Sequence, residues 1–291
     1  MLFTFTRSPS LPATRKAKPS PLGSWLICLM VGLGLGQLPA FTKSGQAKAQ
    51  VTDTSSAQDD PAVAAAIEAF AAWMNAVLSG ARPTAIEWAQ REAQMWRDGR
   101  AAAPFVGNIR QRSAIDQMLR LAYARINVLA AEIPAIKMLT AAEAEAFTTE
   151  LRGMIAQQDA DNAQFLRISF ASGESWPALS EHGADVAGRA WLLIGHAVTD
   201  PDLQATALEV MTPLLELNEV NPANYARLSD KVALARGQLQ RFGTQGVCKD
   251  GAWAPFPIAD AQTLERDRAA FGLAPFAEAM TTSNRECATE R

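Results

Sequence analysis

Beyond residue 60 the apolar positions recur three and four residues apart, the period of helices buried along one face. Val63, Ile67, Phe70, Met74 and Val77 form the first such stripe. Asp60-Pro61 supplies a cap and a first-turn proline before it, and Gly80 stops it. A second helix is predicted over 84–97, ending near Gly99. A third is predicted over 108–131, with Ile115, Met118, Leu119, Ala122, Ile126 and Leu129 inward and Pro134 at its end. Thr140 and Glu143 fit a capping box, in which each side chain satisfies a free backbone N–H, and a long fourth helix follows. Its stripe runs Phe147, Leu151, Met154 and then Gln158, Asn162, Phe165, so two amides fall on the face that should be buried.

Residues 173–183 are predicted as a loop. The run from Val186 to Ile194 is apolar on nearly every side, which marks a central helix. Asp200-Pro201 and Asn221-Pro222 open two more helices, the first predicted to kink at Pro213, the second closed by Gly237. Asp250-Gly251 between two short runs predicts a tight β-hairpin. A last helix is predicted over 261–271, with one short turn over 275–280. The fold class is therefore mainly α: a multi-helix bundle or helical-hairpin array with one short C-terminal β-hairpin.

Charge changes the reading of the first fifty residues. Residues 1–49 carry six Lys and Arg, no Asp or Glu, and an apolar run from Trp25 to Leu35, so they read as a signal peptide cleaved after Ala49. The alternative is an uncleaved inner-membrane anchor, since 22–38 approaches the length of a span. The organisation read from the sequence is signal peptide 1–49, flexible linker 50–60, N-terminal helical region 61–139, helical domain 140–280 and polar tail 281–291. Export implies a periplasmic or secreted protein with no stable membrane span after cleavage. Without the leader the chain is more acidic than its overall net charge of −3 and has no basic patch, which argues against nucleic acid. Cys248 and Cys287 are a candidate disulfide; the alternative is two thiols, one of them in a tail.

No phosphate loop, nucleotide fingerprint or metalloprotease motif occurs in the mature part, and two histidines cannot make a three-histidine metal site, so no cofactor and no metal are expected. His196 ends the apolar helix four residues before Asp200, where it meets the negative end of the helix dipole and a nearby carboxylate would orient it as a general base. Asp200 or Asp230 is the candidate orienting acid, although Asp-Pro-Asp at 200–202 equally reads as a cap. Gln158, Asp159 and Asn162 are candidates to line a polar pocket. The loop Gly243, Thr244, Gln245 is able to offer backbone N–H groups or an amide to a ligand carbonyl or anion.

Four segments carry a resemblance: 191–197 (WLLIGHA) with Asp200-Pro201 after it, Leu228-Ser229-Asp230-Lys231-Val232, Gln240-Arg241-Phe242-Gly243-Thr244-Gln245, and Pro257-Ile258 with Gly272-Leu273. Over about residues 148–280 the chain resembles the uncharacterised bacterial domain of unknown function 6624 family. The resemblance implies a bacterial helical domain and supplies no reaction. Gly195, Val198, Lys231 and Phe242 depart from the resembled pattern, so a polar network built on those positions would be missing here. Taken together, the sequence leads to an exported helical protein that acts as a ligand- or partner-binding module, its partner an unidentified small molecule or envelope protein. The alternative is a metal-independent, hydrolase-like enzyme with His196 as base. The two separate on geometry, because the enzyme needs His196 and Gln245 to converge on one solvent-reachable pocket.

Overall fold

Side-chain caps at Asp60, Thr140, Asp200 and Asn221 start helices where the sequence places them. The computed structural model describes residues 60–289; the predicted signal peptide and the linker up to residue 59 lie outside the described residues. The Asp60 carboxylate accepts from the Ala62 and Val63 N–H groups and opens α1, Pro61–Ser79. Helix α2, Glu87–Ala101, leads into α3, Pro104–Ala124, where Arg125 breaks the helical path (φ −134°, ψ 42°) and the predicted third helix divides. Two single turns follow, α4 Ile126–Leu129 and α5 Pro134–Lys137. The reciprocal Thr140–Glu143 box then starts α6, Ala141–Ala171, which at 1.5 Å per residue is about 46 Å long.

Helix α7, Leu179–His196, is interrupted at Gly183 (φ 77°), where the predicted loop was to end. Asp200 caps α8, Pro201–Glu216, and Asn221 caps α9, Pro222–Ala235. Pro213, where a kink was expected, lies inside α8. The helix continues through it on an exposed face, where the carbonyl that the proline leaves unpaired meets solvent. The hairpin is antiparallel, β1 Gly246–Lys249 with β2 Ala252–Pro255, and its Asp250-Gly251 turn has φ values of 54° and 80°. Those two left-handed residues match the strand twist, which is why Asp-Gly encodes the turn. Helix α10, Leu264–Ala270, is shorter than predicted.

The largest departure is at the C-terminal end. In place of one short turn and a polar tail stands α11, Phe276–Thr289. Its Phe276 and Met280 pack against Cys248, Trp253 and Cys287. It is held by the Cys248–Cys287 disulfide, Cα–Cα 5.5 Å, and by the Asn284 side chain, which accepts from the Trp253 N–H. Breaking that bond by replacing both cysteines with serine is expected to lower stability by about 4 kcal/mol, from the entropy of a loop closed across a separation of 39 residues. A urea midpoint unchanged by the double substitution would count against the cross-link holding α11.

Two apolar cores stack along α6. The first gathers Phe70, Trp73 and Met74 of α1, Trp88 of α2, Met118 and Leu119 of α3, and Phe147 and Leu151 of α6, with the Phe70 and Phe147 rings edge-on at 6.3 Å. The second gathers Leu166 of α6, Leu193 and Ile194 of α7, Leu203 and Met211 of α8, and Leu228 of α9. The predicted regions 61–139 and 140–280 thus share the first core. Helix α1 is long and apolar enough to cross a membrane by length and composition; here it gives one face to that core. Between the two cores, α6 carries Gln158, Asp159 and Asn162, so the polar interruption of its stripe falls where α3 and α7 cross it.

Candidate functional site

His196 is the last residue of α7 and is only 6% exposed. Its Nδ1 lies 3.0 Å from Oδ1 of Asp116, a fully buried residue of α3. Arg120, one turn further along α3, donates from Nε to the same Asp116 oxygen at 3.1 Å and from Nη2 to Asp159 of α6. Gln117 donates to the second Asp116 oxygen at 2.9 Å. Four ionisable groups from three helices therefore meet at the boundary of the two cores.

The carboxylates respond in opposite directions. Burial opposes the charge on Asp116, but the His196 charge and hydrogen bond, then Arg120 and Gln117, outweigh it and hold the group at about 2. For Asp159 burial dominates; Arg120 opposes it, Asp116 adds repulsion, and the group is pushed up to about 6. An ionised Asp116 only accepts, so Nδ1 of His196 carries a hydrogen and donates it, which leaves Nε2 as the ring nitrogen that could act as a base. Nε2 has no hydrogen bond to the described residues, and the ring lines a cleft of about 470 Å³.

The opposite wall of that cleft is the loop after α9. Asp230, fully buried, accepts at Oδ1 from the Arg241 and Phe242 N–H groups and at Oδ2 from the Thr244 N–H and hydroxyl. Gln240 accepts from the Gln245 N–H. Gly243 turns at φ 61°, and a Cβ built there would lie 2.8 Å from the Phe276 ring, so glycine alone fits the bend against α11. Gly243, Thr244 and Gln245 all line the cleft with His196, joined by Arg227 and Lys231 of α9 and Arg268 of α10. Lys231 donates to the Gly195 carbonyl at 3.1 Å.

Each sequence-predicted site residue can now be placed. His196 and the 243–245 loop share one cleft. Asp230 does not orient His196; its carboxylate is committed to the loop backbone, and Asp116 takes the orienting role. Asp200 caps α8 and pairs with Arg167, away from the cleft lining. The Thr244 and Gln245 N–H groups are already bonded, so they are not free to receive an oxyanion. Gln158 donates to Asn162 at 2.8 Å; neither lines the cleft, and Asn162 Nδ2 has no partner among the described residues. Asp159 joins the buried cluster. The ligand atoms of Asp116, Asp159 and His196 lie within 4.8 Å of one another, the spread of a metal site, but Arg120 already bonds both carboxylates and supplies the positive charge there. A divalent ion would have to displace it.

Sequence reasoning missed Asp116, Arg120, Arg227 and Arg268. The available signal for the first two was an opposite-charge pair four apart inside a stretch of α3, residues 113–120, that is buried on every side.

The fold and the cleft define a mainly helical protein with a histidine–carboxylate cluster beside a walled cleft. The chain belongs to a family of unknown function (DUF6624), whose model matches residues 125–285. No match was found among curated proteins or among solved structures. The matched segment contains Asp159, His196, Asp230 and the 243–245 loop, whereas Asp116 and Arg120 precede it.

Proposed function

We propose that the cleft performs metal-independent general-base chemistry of the hydrolase type on a small molecule, with His196 as base and Asp116 as its positioning residue. The observation that supports this is a histidine that bonds a buried carboxylate through Nδ1 and presents its ring to a cleft. Burying four ionisable groups is costly, and such groups with carboxylates driven in opposite directions gather where proton transfer is needed. In the proposed step Nε2 removes a proton from a water molecule, the water oxygen bonds to the electrophilic carbon or phosphorus, and the proton passes to the leaving group as that bond breaks. Water is the nucleophile because the Thr244 hydroxyl is committed to Asp230 and Gln245.

The competing reading is a module that binds without turnover. It draws on the bonded Thr244 and Gln245 N–H groups, which are not available to a developing oxyanion. Export with cleavage after Ala49, to the periplasm or beyond, belongs to the same proposal; its support is the N-terminal pattern and a disulfide of the kind that persists in oxidising compartments. The test is turnover of a panel of ester, amide and phosphoester substrates by the wild type and His196→Ala. Loss of about 10²–10⁴-fold in rate is expected in the variant. Equal rates in the two proteins, or no turnover of any substrate by the wild type, would overturn the enzymatic reading.

A further inference from the structure

Arg227 and Arg268 stand on the same cleft and neither meets a carboxylate. Among the described residues the Arg227 guanidinium bonds the Asn224 side-chain oxygen, at 3.4 Å. Arg268, 3% exposed, donates from Nε to the Ala274 carbonyl and from Nη1 to the Phe242 carbonyl and stacks over Phe276; its Nη2 has no partner among the described residues. Glu278 and Glu286 of α11 also line the cleft. Burial lowers Arg227 from its ordinary value with nothing opposing it. Burial also lowers Arg268; Glu265 and Asp230 work against this, and Arg227 adds to it, so the two like charges are close enough to repel. A sheltered cation with no carboxylate bonded to it is unfavourable, and a pair of them on one cleft more so.

We infer that the ligand of this cleft is a small anion, carrying a carboxylate or phosphate group that the Arg227 and Arg268 guanidinium groups receive. The planar guanidinium fork matches both anions, and the charge-assisted bonds it makes are the strong ones. The inference rests on reading the cleft as a ligand site and deepens it by naming the ligand's class. The anion would sit in the cleft that His196 also lines, leaving the uncharged remainder of the molecule to the base.

The experiment is a calorimetric titration of the full chain, disulfide intact, with inorganic phosphate and separately with succinate. It uses wild type, Arg227→Gln, Arg227→Lys, His196→Ala and the exposed control Arg236→Gln, each checked for a cooperative thermal melt. At least one anion is expected to saturate the wild type, and which one does so decides between phosphate and carboxylate. Arg227→Gln is expected to weaken it by about tenfold or more. Arg227→Lys should fall between, because it keeps the charge and loses the fork, while Arg236→Gln should match the wild type. Binding of neither anion, or equal affinity in wild type and Arg227→Gln, overturns the inference. His196→Ala separates the two proposals. If the wild type shows no turnover yet binds the anion through Arg227, the reaction fails and the anion site stands. If turnover is lost in His196→Ala but is indifferent to Arg227→Gln, the anion site fails and the reaction stands.

Discussion

Asp116→Asn is expected to cost the fold about 3–5 kcal/mol, the usual consequence of removing one partner from a buried charge pair. Asparagine keeps the shape, but it removes the negative charge that faces both Arg120 and His196 and offers an N–H2 to one of the three donors now accepted. The loss should depend on pH with a definite sign. Asp116 is depressed to about 2, so its contribution is complete above about 4 and disappears as pH falls through about 2. Asp159 is raised to about 6, so it works the other way: its contribution is complete below about 4 and is lost as pH rises through about 6. Wild-type stability from the cluster should therefore be greatest near pH 4–5, and the variant should lose the acid limb. Denaturant midpoints measured across pH 2–8 test this; superimposable curves for wild type and variant would mean the Asp116 charge contributes nothing. In the proposed reaction the same substitution should lower the rate without abolishing it, since Nδ1 then bonds a neutral amide oxygen in place of the carboxylate.

Asp230→Asn is expected to destabilise by about 3–5 kcal/mol, because hydrogen bonds to a carboxylate are each worth about 1.5–3 kcal/mol and an amide can keep only one of its two oxygen positions. Either orientation of the asparagine sets its N–H2 against two donors, the Arg241 and Phe242 N–H groups or the Thr244 N–H and hydroxyl. The loop would then be released from α9, and one wall of the cleft with it. Backbone hydrogen exchange should speed up over 241–246 and stay as in the wild type in α1. An unchanged midpoint together with unchanged exchange in the loop would show that Asp230 does not hold it.

Much of the helical framework was legible because its signals are local. Asp60, Thr140 with Glu143, Asp200 and Asn221 each satisfy backbone N–H groups within three residues, so the cap and the helix it starts are read from one short window. The Asp250-Gly251 turn is equally self-contained. Helix α11 was not legible, because what holds it is a bond to Cys248, distant in the chain, and contact with the hairpin. The break at Arg125 was missed for a related reason: the apolar spacing runs on through Ile126 and Leu129 although the backbone turns.

The site divides in the same way. His196 stood out as a rare imidazole at the end of an apolar helix, and the 243–245 loop through its glycines, both visible from composition and order alone. Asp116 was not, since its partner is 80 residues away and an Asp–Arg pair four apart on a helix ordinarily belongs on a solvated face. The amphipathic stripe of α3 described the side turned to the first core. Its other side, carrying Ser113, Asp116, Gln117 and Arg120, is buried only because α6 and α7 close over it.

By itself the sequence determined a mainly helical chain, most of its helix starts, the hairpin, and the two elements that carry His196 and the glycine loop. Each of these follows from backbone hydrogen bonding and side-chain period within a few residues. Only the tertiary structure decided which carboxylate meets the imidazole, that Asp230 secures a loop, and that Arg227 and Arg268 share its cleft. Those outcomes depend on which helices cross at the boundary of two cores. Crossing is set by packing summed over the whole chain, and no short window of residues contains it.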